Sequence, residues 1–253
     1  MTLVTEEQAV TALRAAGCVF AEAEAAVLTE ATAGDGAALT RLVARRAGGE
    51  PLEQVVGYAD FAGVRVRLRP GVFVPRVRSE LLVRLAAAHA TPDAVVLDLC
   101  CGSGALGLAV RARRPDIRLY AADADPRAVA CARDNLGETP VYHGDLFDPL
   151  PPLTTDVLIA NVPYVATAHL PLLPAEARDH EPRIALDGGG DGLGVFRRVV
   201  VAAPRWLAPG GRLLSEITEA QINPAIAAVR AAGLRPGIEH DDGLAATVIA
   251  AVR

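Results

Sequence analysis

The chain of 253 residues contains no lysine, and all 25 of its basic residues are arginines. A nucleotide-binding P-loop needs a lysine that reaches the phosphates, and Schiff-base catalysis needs a lysine amine. The composition therefore excludes both kinds of site.

Cysteine is scarce as well. The four cysteines, Cys18, Cys100, Cys101 and Cys131, show no C-x-x-C spacing and no paired histidines beside them. This pattern argues against a zinc site and against a disulfide framework. We predict a reduced, cytoplasmic protein without a bound metal, in which Cys100 and Cys101 are small buried residues.

Long apolar runs and concentrated positive charge are also missing. No run approaches the roughly 18 residues of a membrane span, and the first residues, MTLVTEEQ, are acidic rather than typical of a secretory signal. The net charge is −5 and the arginines are scattered, whereas phosphate contacts need a concentrated basic surface. We expect neither membrane association nor stable nucleic-acid binding.

The N-terminal part has a helical pattern. Hydrophobic spacing predicts helices over residues 5–30 and 37–47, separated by Gly34-Asp35-Gly36. Residues 1–50 are therefore predicted to form a small helical domain.

The pattern changes after this domain. Residues 51–76 are predicted to be a linker that contains a β-hairpin between Tyr58 and Val74. Residues 77–253 are predicted to be the main domain, with a first helix beginning near Ser79-Glu80.

Strands alternate with helices from Asp93 onward, which predicts a parallel sheet with right-handed crossovers and an α/β fold. A long polar insertion is expected over residues 165–194, and a tight turn at Pro209-Gly210-Gly211. The later strands are predicted near residues 118–122, 141–142, 156–160, 212–217, 236–240 and 246–252, and helices near 126–132, 195–207 and 224–232.

The stretch Val95–Val110, VVLDLCCGSGALGLAV, predicts a buried strand, a turn of small residues and a helix. Open α/β sheets bind ligands at such strand ends. The order D-x-C-x-G-x-G differs from the G-x-G-x-x-G of dinucleotide sites. The alternative is a helix-packing turn without a ligand. The candidate cofactor-binding residues here are Asp98, Cys100, Cys101, Gly102, Ser103 and Gly104.

Acids also follow the next two strands. Asp123, beside Ala124, is placed to accept hydrogen bonds from both hydroxyls of a ribose. Asp145 can accept from an adenine amino group while Leu146 covers the ring. Each acid has an alternative role as a helix cap or turn residue. Because both acids are predicted to lie at the same edge of the sheet, they favour an adenosine site.

Asn161-Val162-Pro163-Tyr164 follows an apolar strand directly. A planar NH₂ group is a poor nucleophile because its lone pair is delocalised. Two acceptors, the Asn161 side-chain oxygen and the Val162 carbonyl, can draw its hydrogens away and aim the lone pair at a methyl group, while Pro163 stiffens the turn and Tyr164 packs on the plane. The alternative is an Asn-x-Pro turn capped by a core tyrosine.

In this order the motifs resemble the HemK/PrmC-type class I methyltransferases, which use S-adenosylmethionine to methylate a glutamine side-chain amide in peptide release factors. The resemblance covers nearly the whole chain. It rests on Arg45–Leu52 with Gly57, Pro70–Arg76 with Glu80, Asp98–Ala105, Asp123, Asn161–Tyr164, Glu181-Pro182, Ala185–Gly189 and Pro209–Gly211.

The resemblance implies a Rossmann-like, mostly parallel sheet with an antiparallel last strand, a small N-terminal helical domain that touches the protein substrate, and a β-hairpin linker. It implies S-adenosylmethionine as cofactor, a release factor as partner, and catalysis by Asn161–Tyr164. The cofactor-binding residues would be Phe73, Pro75, Arg76, Asp123, Ala124, Asp145, Leu146, Asn161 and the Asp98–Gly104 turn.

The chain departs from the family pattern at several positions. Cys100 replaces the first glycine of the turn, and Val162 replaces the first proline of Asn-Pro-Pro-Tyr. The Pro-Arg-Pro-x-Thr-Glu element reads Pro75–Glu80, PRVRSE, and the helical domain is short around Gly34–Ala38. Since the proposed contact of Val162 is a backbone carbonyl, valine can still supply it.

Three other functions are alternatives to this prediction. An exocyclic-amine methyltransferase acting on nucleic acid would also use Asn-x-Pro-Tyr, but the acidic net charge opposes it. A non-catalytic S-adenosylmethionine-binding module is compatible with the departures at Cys100 and Val162. A nicotinamide dehydrogenase lacks its fingerprint here.

Overall fold

The computed structural model describes residues 4–253 of the chain. These begin with the helices α1 (Glu6–Ala15), α2 (Ala21–Thr32), α3 (Gly36–Ala47) and α4 (Leu52–Val56). Their apolar sides form a separate core that includes Leu13, Leu28 and Val43. The predicted helical domain starts with residues 1–3, which lie outside the described residues.

The single helix predicted over residues 5–30 is wrong. Helix α1 starts at a capping box formed by Thr5 and Gln8 and ends before Gly17, whose φ is +89°. The Cys18 N–H turns back to the Leu13 carbonyl, at a nitrogen–oxygen distance of 3.0 Å. A left-handed glycine ends a helix in this way. The spacing of the apolar residues stays helical on both sides of the glycine, so it does not reveal that the helix is interrupted.

A short β-hairpin follows the helices. Strands β1 (Tyr58–Phe61) and β2 (Val64–Arg67) pair antiparallel. Both turn residues, Ala62 and Gly63, have positive φ, as a tight two-residue hairpin turn requires. The hairpin is shorter than the predicted Tyr58–Val74, since the chain beyond β2 leaves the strand pairing.

The main domain contains helices and strands that mostly alternate. In chain order they are α5 (Glu80–His89), β3 (Val95–Leu99), α6 (Ala105–Arg113), β4 (Arg118–Asp123), α7 (Pro126–Leu136), β5 (Val141–His143), β6 (Thr155–Ala160), α8 (Ala175–His180), α9 (Gly194–Trp206), β7 (Leu207–Ile217), α10 (Ile222–Ala231), β8 (Arg235–Asp241) and β9 (Ala246–Val252). Within residues 4–253, seven strands form the main sheet in the order β5-β4-β3-β6-β7-β9-β8. Strand β9 is antiparallel to both β7 and β8, and the other pairs are parallel. The predicted α/β sheet with an antiparallel last strand is confirmed.

The central strands are buried on both faces, because alternate side chains enter different cores. Val96 and Ile159 join the core that contains α5 and α6 residues, whereas Leu97 and Leu158 join the core that contains α9 and α10 residues. Of the helices in residues 4–253, none is long and apolar enough to cross a membrane.

The predicted turn at Pro209-Gly210-Gly211 lies inside strand β7. The partner of Thr155 is Leu207 and the partner of Val157 is Arg212, so β7 carries extra residues opposite β6. Gly210, at φ +79°, donates its N–H to the Arg253 carbonyl. The glycines therefore make an irregularity of the strand rather than its beginning.

The segment 165–194, predicted as a polar insertion, contains helix α8 and two short 3₁₀ turns, Thr167–Leu172 and Arg183–Ala185. Several of its apolar side chains, including Leu173, Ile184 and Leu186, face a cavity. The segment is therefore a wall of that cavity and not merely a solvated loop.

Arg46 of α3 ties the N-terminal helices to this wall. Its side chain is 8% exposed and forms ion pairs with Glu24 and with Glu176 of α8, both at 2.6 Å. The two carboxylates raise the pKa of Arg46 against the opposing effect of burial.

We expect Arg46→Ala to lower the free energy of unfolding by about 3 kcal/mol, because it leaves carboxylates without their cation. Thermal denaturation should show a melting temperature lower by about 6–12 °C. Arg41→Ala, on the exposed side of the same helix, is the control and should change little. Equal melting temperatures for the two variants would contradict this assignment.

Candidate active site

The carboxyl ends of β3, β4, β5 and β6 open onto a cavity of about 490 Å³. This size lies in the usual range for small-molecule sites. Pro75, Asp98, Cys101, Ser103 and Gly104 lie outside its lining. The predicted site residues that do line it are Phe73, Arg76, Cys100, Gly102, Asp123, Ala124, Asp145, Leu146, Asn161, Val162, Pro163 and Tyr164.

The turn after β3 brings its backbone to the cavity. Gly102 has φ +55°, and a side chain added there would meet nothing within 4 Å. At Gly104, by contrast, an added Cβ would lie 3.0 Å from Leu136. Gly102 therefore leaves room for a ligand, and Gly104 lets α6 pack on α7.

Cys100 lines the cavity with φ +58°. This left-handed conformation costs a non-glycine residue about 1–2 kcal/mol, which accounts for a glycine at this position of the resembled family. Burial raises the pKa of the Cys100 thiol, and the charge of Asp123 adds to the rise. The group is a neutral thiol.

Asp98 is fully buried at the end of β3. Its Oδ2 accepts from the Gly107 N–H at 2.8 Å, while its Oδ1 has no hydrogen-bond partner among the described residues. Burial raises the pKa of Asp98 to about 7, and the nearby charge of Asp123 adds to the rise. An unpartnered buried acceptor is costly, so this oxygen fits a donor supplied by a ligand or by water.

Asp123 is placed at the end of β4. One carboxylate oxygen accepts from the Gly102 N–H and the other from the Asp125 N–H, both at 2.8 Å. Burial raises the pKa of Asp123 against the effect of these two bonds. A carboxylate oxygen can accept twice, so each one retains capacity for a hydroxyl in the cavity.

Asp145 lies at the mouth of the cavity and forms an ion pair with Arg198 of α9 at 2.6 Å. Both side chains are more than half exposed. Leu146 is nearly buried with φ +48° and presents an apolar surface beside them. The sequence pointed to Asp145 and Leu146, but not to Arg198.

Asn161 follows β6 directly and lines the cavity wall. Its Nδ2 donates to the Ser79 Oγ at 3.2 Å, and its buried Oδ1 has no partner among the described residues. The next residue, Val162, is 2% exposed. The motif therefore contains a buried acceptor without a partner, on a residue of the cavity wall.

Tyr164 is oriented by two charged residues. Its hydroxyl donates to Glu216 Oε1 at 2.7 Å and accepts from Arg78. Burial raises the pKa of Tyr164, as does the charge of Glu216, so the phenol keeps its proton and remains a donor.

Sequence reasoning missed the role of Arg78, Ser79 and Glu216. Glu216 stands in the run LLSEI of a buried strand, where a charged residue rarely occurs without a partner. That signal was present in the sequence, although its partners were not identifiable from it.

A glycine-rich loop supports the motif from behind. A Cβ on Gly188 would lie 2.6 Å from the Pro163 carbonyl oxygen. Gln221 donates to the carbonyls of Tyr164 and Asp191, at 3.0 and 3.1 Å. Only glycine allows this close contact between the two backbones.

Glu181 joins the insertion to the segment before α5. Its buried carboxylate accepts from the Val74 N–H at 3.1 Å and from Arg76 at 2.5 Å. Burial raises the pKa of Glu181, and the charge of Arg76 opposes this rise. Arg76 in turn lies 4.9 Å from the centroid of the Phe73 ring, so Phe73 and Arg76 are held at the cavity.

The chain is similar to known proteins. The family described as "Methyltransferase small domain" matches residues 63–177. A release factor glutamine methyltransferase of Cereibacter sphaeroides is 38% identical over 198 residues, which are 76% of this chain and 70% of that protein. The chain belongs to the release factor glutamine methyltransferase family. The family predicted from the motifs is thus confirmed.

Two other release factor glutamine methyltransferases are also similar in sequence to this chain. The one from Bifidobacterium longum is 35% identical, covering 80% of this chain and 75% of its own. The one from Geobacter sulfurreducens is 40% identical over 72% of this chain. The chain spans 65% of the length of that Geobacter relative.

Solved structures share the fold. A methyltransferase from Pyrococcus furiosus matches with a TM-score of 0.58 at 15% identity, covering 75% of this chain and 89% of its own. A ribosomal protein L11 methylase from Lactobacillus delbrueckii subsp. bulgaricus matches with a TM-score of 0.52 at 14% identity, covering 70% and 80%. At these identities the likeness concerns the architecture alone.

Proposed function

We propose that this protein is a cytoplasmic enzyme that transfers a methyl group from S-adenosylmethionine to the side-chain amide nitrogen of a glutamine in a peptide chain release factor. The observation that carries the proposal is the buried, unpartnered Oδ1 of Asn161 in the cavity wall. A buried acceptor without a partner is suited to a substrate that brings its own N–H group. Membership of the release factor glutamine methyltransferase family supports the choice of substrate.

The residues around the cavity fit the cofactor. S-adenosylmethionine, when bound, supplies a methyl group on a positively charged sulfur. Asp123 would hold the ribose hydroxyls, Gly102 would allow close backbone contact, and Leu146 with Asp145 would meet the adenine. The free Oδ1 of Asp98, which lies outside the cavity lining, would accept through water from the amino group of the methionine part.

One carboxylate gives the cavity a negative charge that no arginine neutralises. Asp123 lines the cavity and pairs with no arginine among the described residues, whereas Asp125, Asp145 and Glu176 pair with Arg127, Arg198 and Arg46. The lining residues Arg76 and Arg78 are neutralised by Glu181 and Glu216. The negative charge of Asp123 suits a cofactor with a positive sulfur and a positive amino group.

The chain's own residues would activate the amide. Asn161 Oδ1 and the Val162 carbonyl would accept the two hydrogens of the glutamine NH₂, which directs the nitrogen lone pair toward the methyl carbon. The cofactor would supply the methyl carbon with loss of its carbon–sulfur bond, whose electron pair would stay on sulfur, and the methylated nitrogen would lose one proton to water. Tyr164 would pack against the amide plane, and Pro163 would keep the turn rigid.

The N-terminal helices are proposed to contact the protein substrate. They are connected to the cavity wall through Arg46 and Glu176, so a substrate bound on them would lie beside the cavity. This extends the predicted division into a helical unit, a linker and a methyltransferase unit.

The direct test is incubation of the purified protein with methyl-labelled S-adenosylmethionine and a recombinant release factor. Mass spectrometry should find one added methyl group on a single glutamine. Bound cofactor without any labelled glutamine would refute the proposed substrate, and labelled nucleic acid in its place would support the exocyclic-amine alternative.

We expect Asp123→Asn to weaken cofactor binding about 10- to 100-fold, since hydrogen bonds to a charged group contribute about 1.5–3 kcal/mol. Isothermal titration with S-adenosylmethionine measures the effect. Asp242→Asn removes a carboxylate that is 98% exposed and serves as control. An unchanged affinity in Asp123→Asn would show that this carboxylate does not hold the ribose.

A further inference from the structure

A buried carboxylate lies behind the proposed methyl-transfer motif without facing the substrate. Glu216, near the end of β7, has a side chain that is 3% exposed and pairs with Arg78 at 2.8 Å. Its other oxygen, Oε2, lies 2.7 Å from the Ser79 Oγ. A carboxylate only accepts hydrogen bonds, so the single hydroxyl proton of Ser79 points to Glu216.

This bond decides how Asn161 is oriented. With its proton committed to Glu216, Ser79 Oγ has only lone pairs left for Asn161, 3.2 Å away. The nearer group of the Asn161 amide must therefore be the NH₂ donor, and the carbonyl oxygen must point away from Ser79. A flipped Asn161 would present donors to a substrate NH₂ group and would place its oxygen against an oxygen lone pair of Ser79.

The same carboxylate also positions the tyrosine. Glu216 Oε1 accepts from Tyr164 at 2.7 Å, and Arg78 contacts both of these residues. We propose that Glu216, acting directly on Tyr164 and through Ser79 on Asn161, is the positioning residue that sets both side chains of the methyl-transfer motif. This inference rests on the proposed function.

A purely structural role would not need this arrangement. Apolar residues at such a site in a buried strand are commonly as stable as an ion pair, because the pair must be desolvated. Here the whole hydrogen-bond sequence, from Arg78 through Glu216 and Ser79 to Asn161, ends on an acceptor that is left free. The arrangement fixes the orientation of the Asn161 amide, which the methyl-transfer reaction needs and which packing alone does not require.

The kinetic test compares Ser79→Ala, Ser79→Thr and Glu216→Gln. Ser79→Ala and Glu216→Gln should lower kcat about 10- to 100-fold, as loss of orienting partners commonly does, with the Kd for S-adenosylmethionine within about twofold of wild type. Ser79→Thr keeps the hydroxyl and should stay within about threefold of the wild-type kcat. Glu219→Gln, a charge loss three residues away at a side chain that is 77% exposed, is the matched control.

A second measurement needs no substrate. In ¹⁵N-labelled protein, the Asn161 side-chain NH₂ signal, assigned against Asn161→Ala, should exchange slowly with solvent in the wild type and in Ser79→Thr. It should exchange at least about tenfold faster in Ser79→Ala, because the acceptor of the Nδ2 bond is lost, and in Glu216→Gln, because the carboxylate no longer holds the Ser79 hydroxyl with its lone pairs toward Nδ2.

The kinetic test and the exchange measurement distinguish failure of the proposed function from failure of the proposed role of Glu216. A wild-type protein that methylates no release factor would refute the proposed function while the exchange data still decide the orientation. Wild-type kcat in Ser79→Ala, equal losses in Ser79→Ala and Ser79→Thr, or unchanged exchange in both altered proteins would overturn the role of Glu216 and Ser79.

Discussion

Asn161→Ala is expected to lower kcat for methyl transfer by about 100- to 1,000-fold, the range seen when a preorganised partner of the reacting group is removed. The variant deletes the free Oδ1 acceptor in the cavity wall. Without it, only the Val162 carbonyl would hold the glutamine NH₂, and the lone pair would stay delocalised.

The same substitution should leave the fold and the cofactor affinity nearly intact. Asn161 gives up one hydrogen bond, from Nδ2 to Ser79, and relieves a buried acceptor that has no partner, so its effect on unfolding is expected to be within about 1 kcal/mol. Single-turnover transfer with labelled S-adenosylmethionine measures the chemical step, and calorimetry measures cofactor binding.

Asn223→Ala, an exposed position on α10, is the matched control and should behave as wild type. If Asn161→Ala transfers methyl groups at the wild-type rate, the motif is not the catalytic centre. If it instead loses cofactor binding in step with turnover, Asn161 holds the cofactor rather than the amide.

The sequence was sufficient to predict the edge of the sheet where these residues meet. Parallel strands end on one side, so Asp123 at the end of β4, Asp145 after β5 and Asn161 after β6 must converge. The left-handed φ of Cys100 and Leu146 and the break of the first helix at Gly17 were not predictable from spacing, because they depend on backbone geometry rather than on the apolar pattern.

The supporting residues were beyond sequence reasoning for another reason. Ser79 and Glu216 are separated by 137 positions in the chain, and Arg78 and Glu216 by 138. No local pattern links them, since their contact arises only when α5 packs against the sheet. The pairing of Asp145 with Arg198, 53 positions away, is of the same kind.

Gly192→Ala is expected to impair the site from outside the cavity lining. Gly192 has φ +76°, and an added Cβ would lie 2.5 Å from Gln221 Nε2 and well inside van der Waals contact with the Tyr164 carbonyl oxygen. Gln221 holds that same carbonyl at 3.0 Å. The loop or the Tyr164 backbone must therefore move.

Two measurable losses should follow. Overpacking together with left-handed strain is expected to reduce the free energy of unfolding by about 2–4 kcal/mol, seen as a melting temperature lower by about 5–15 °C. Displacement of Tyr164 by a fraction of an ångström to about 1 Å should reduce kcat up to about 100-fold, with the loss persisting at temperatures where the variant is fully folded.

Gly190→Ala provides the control within the same loop, because a Cβ there would meet nothing within 4 Å and no positive φ is required. It should retain both the stability and the kcat of the wild type. Similar effects of the two substitutions would mean that loop flexibility matters rather than the contact with Tyr164. A loss of stability in Gly192→Ala without loss of kcat in the folded protein would show that the glycine loop supports the fold but does not position the methyl-transfer motif.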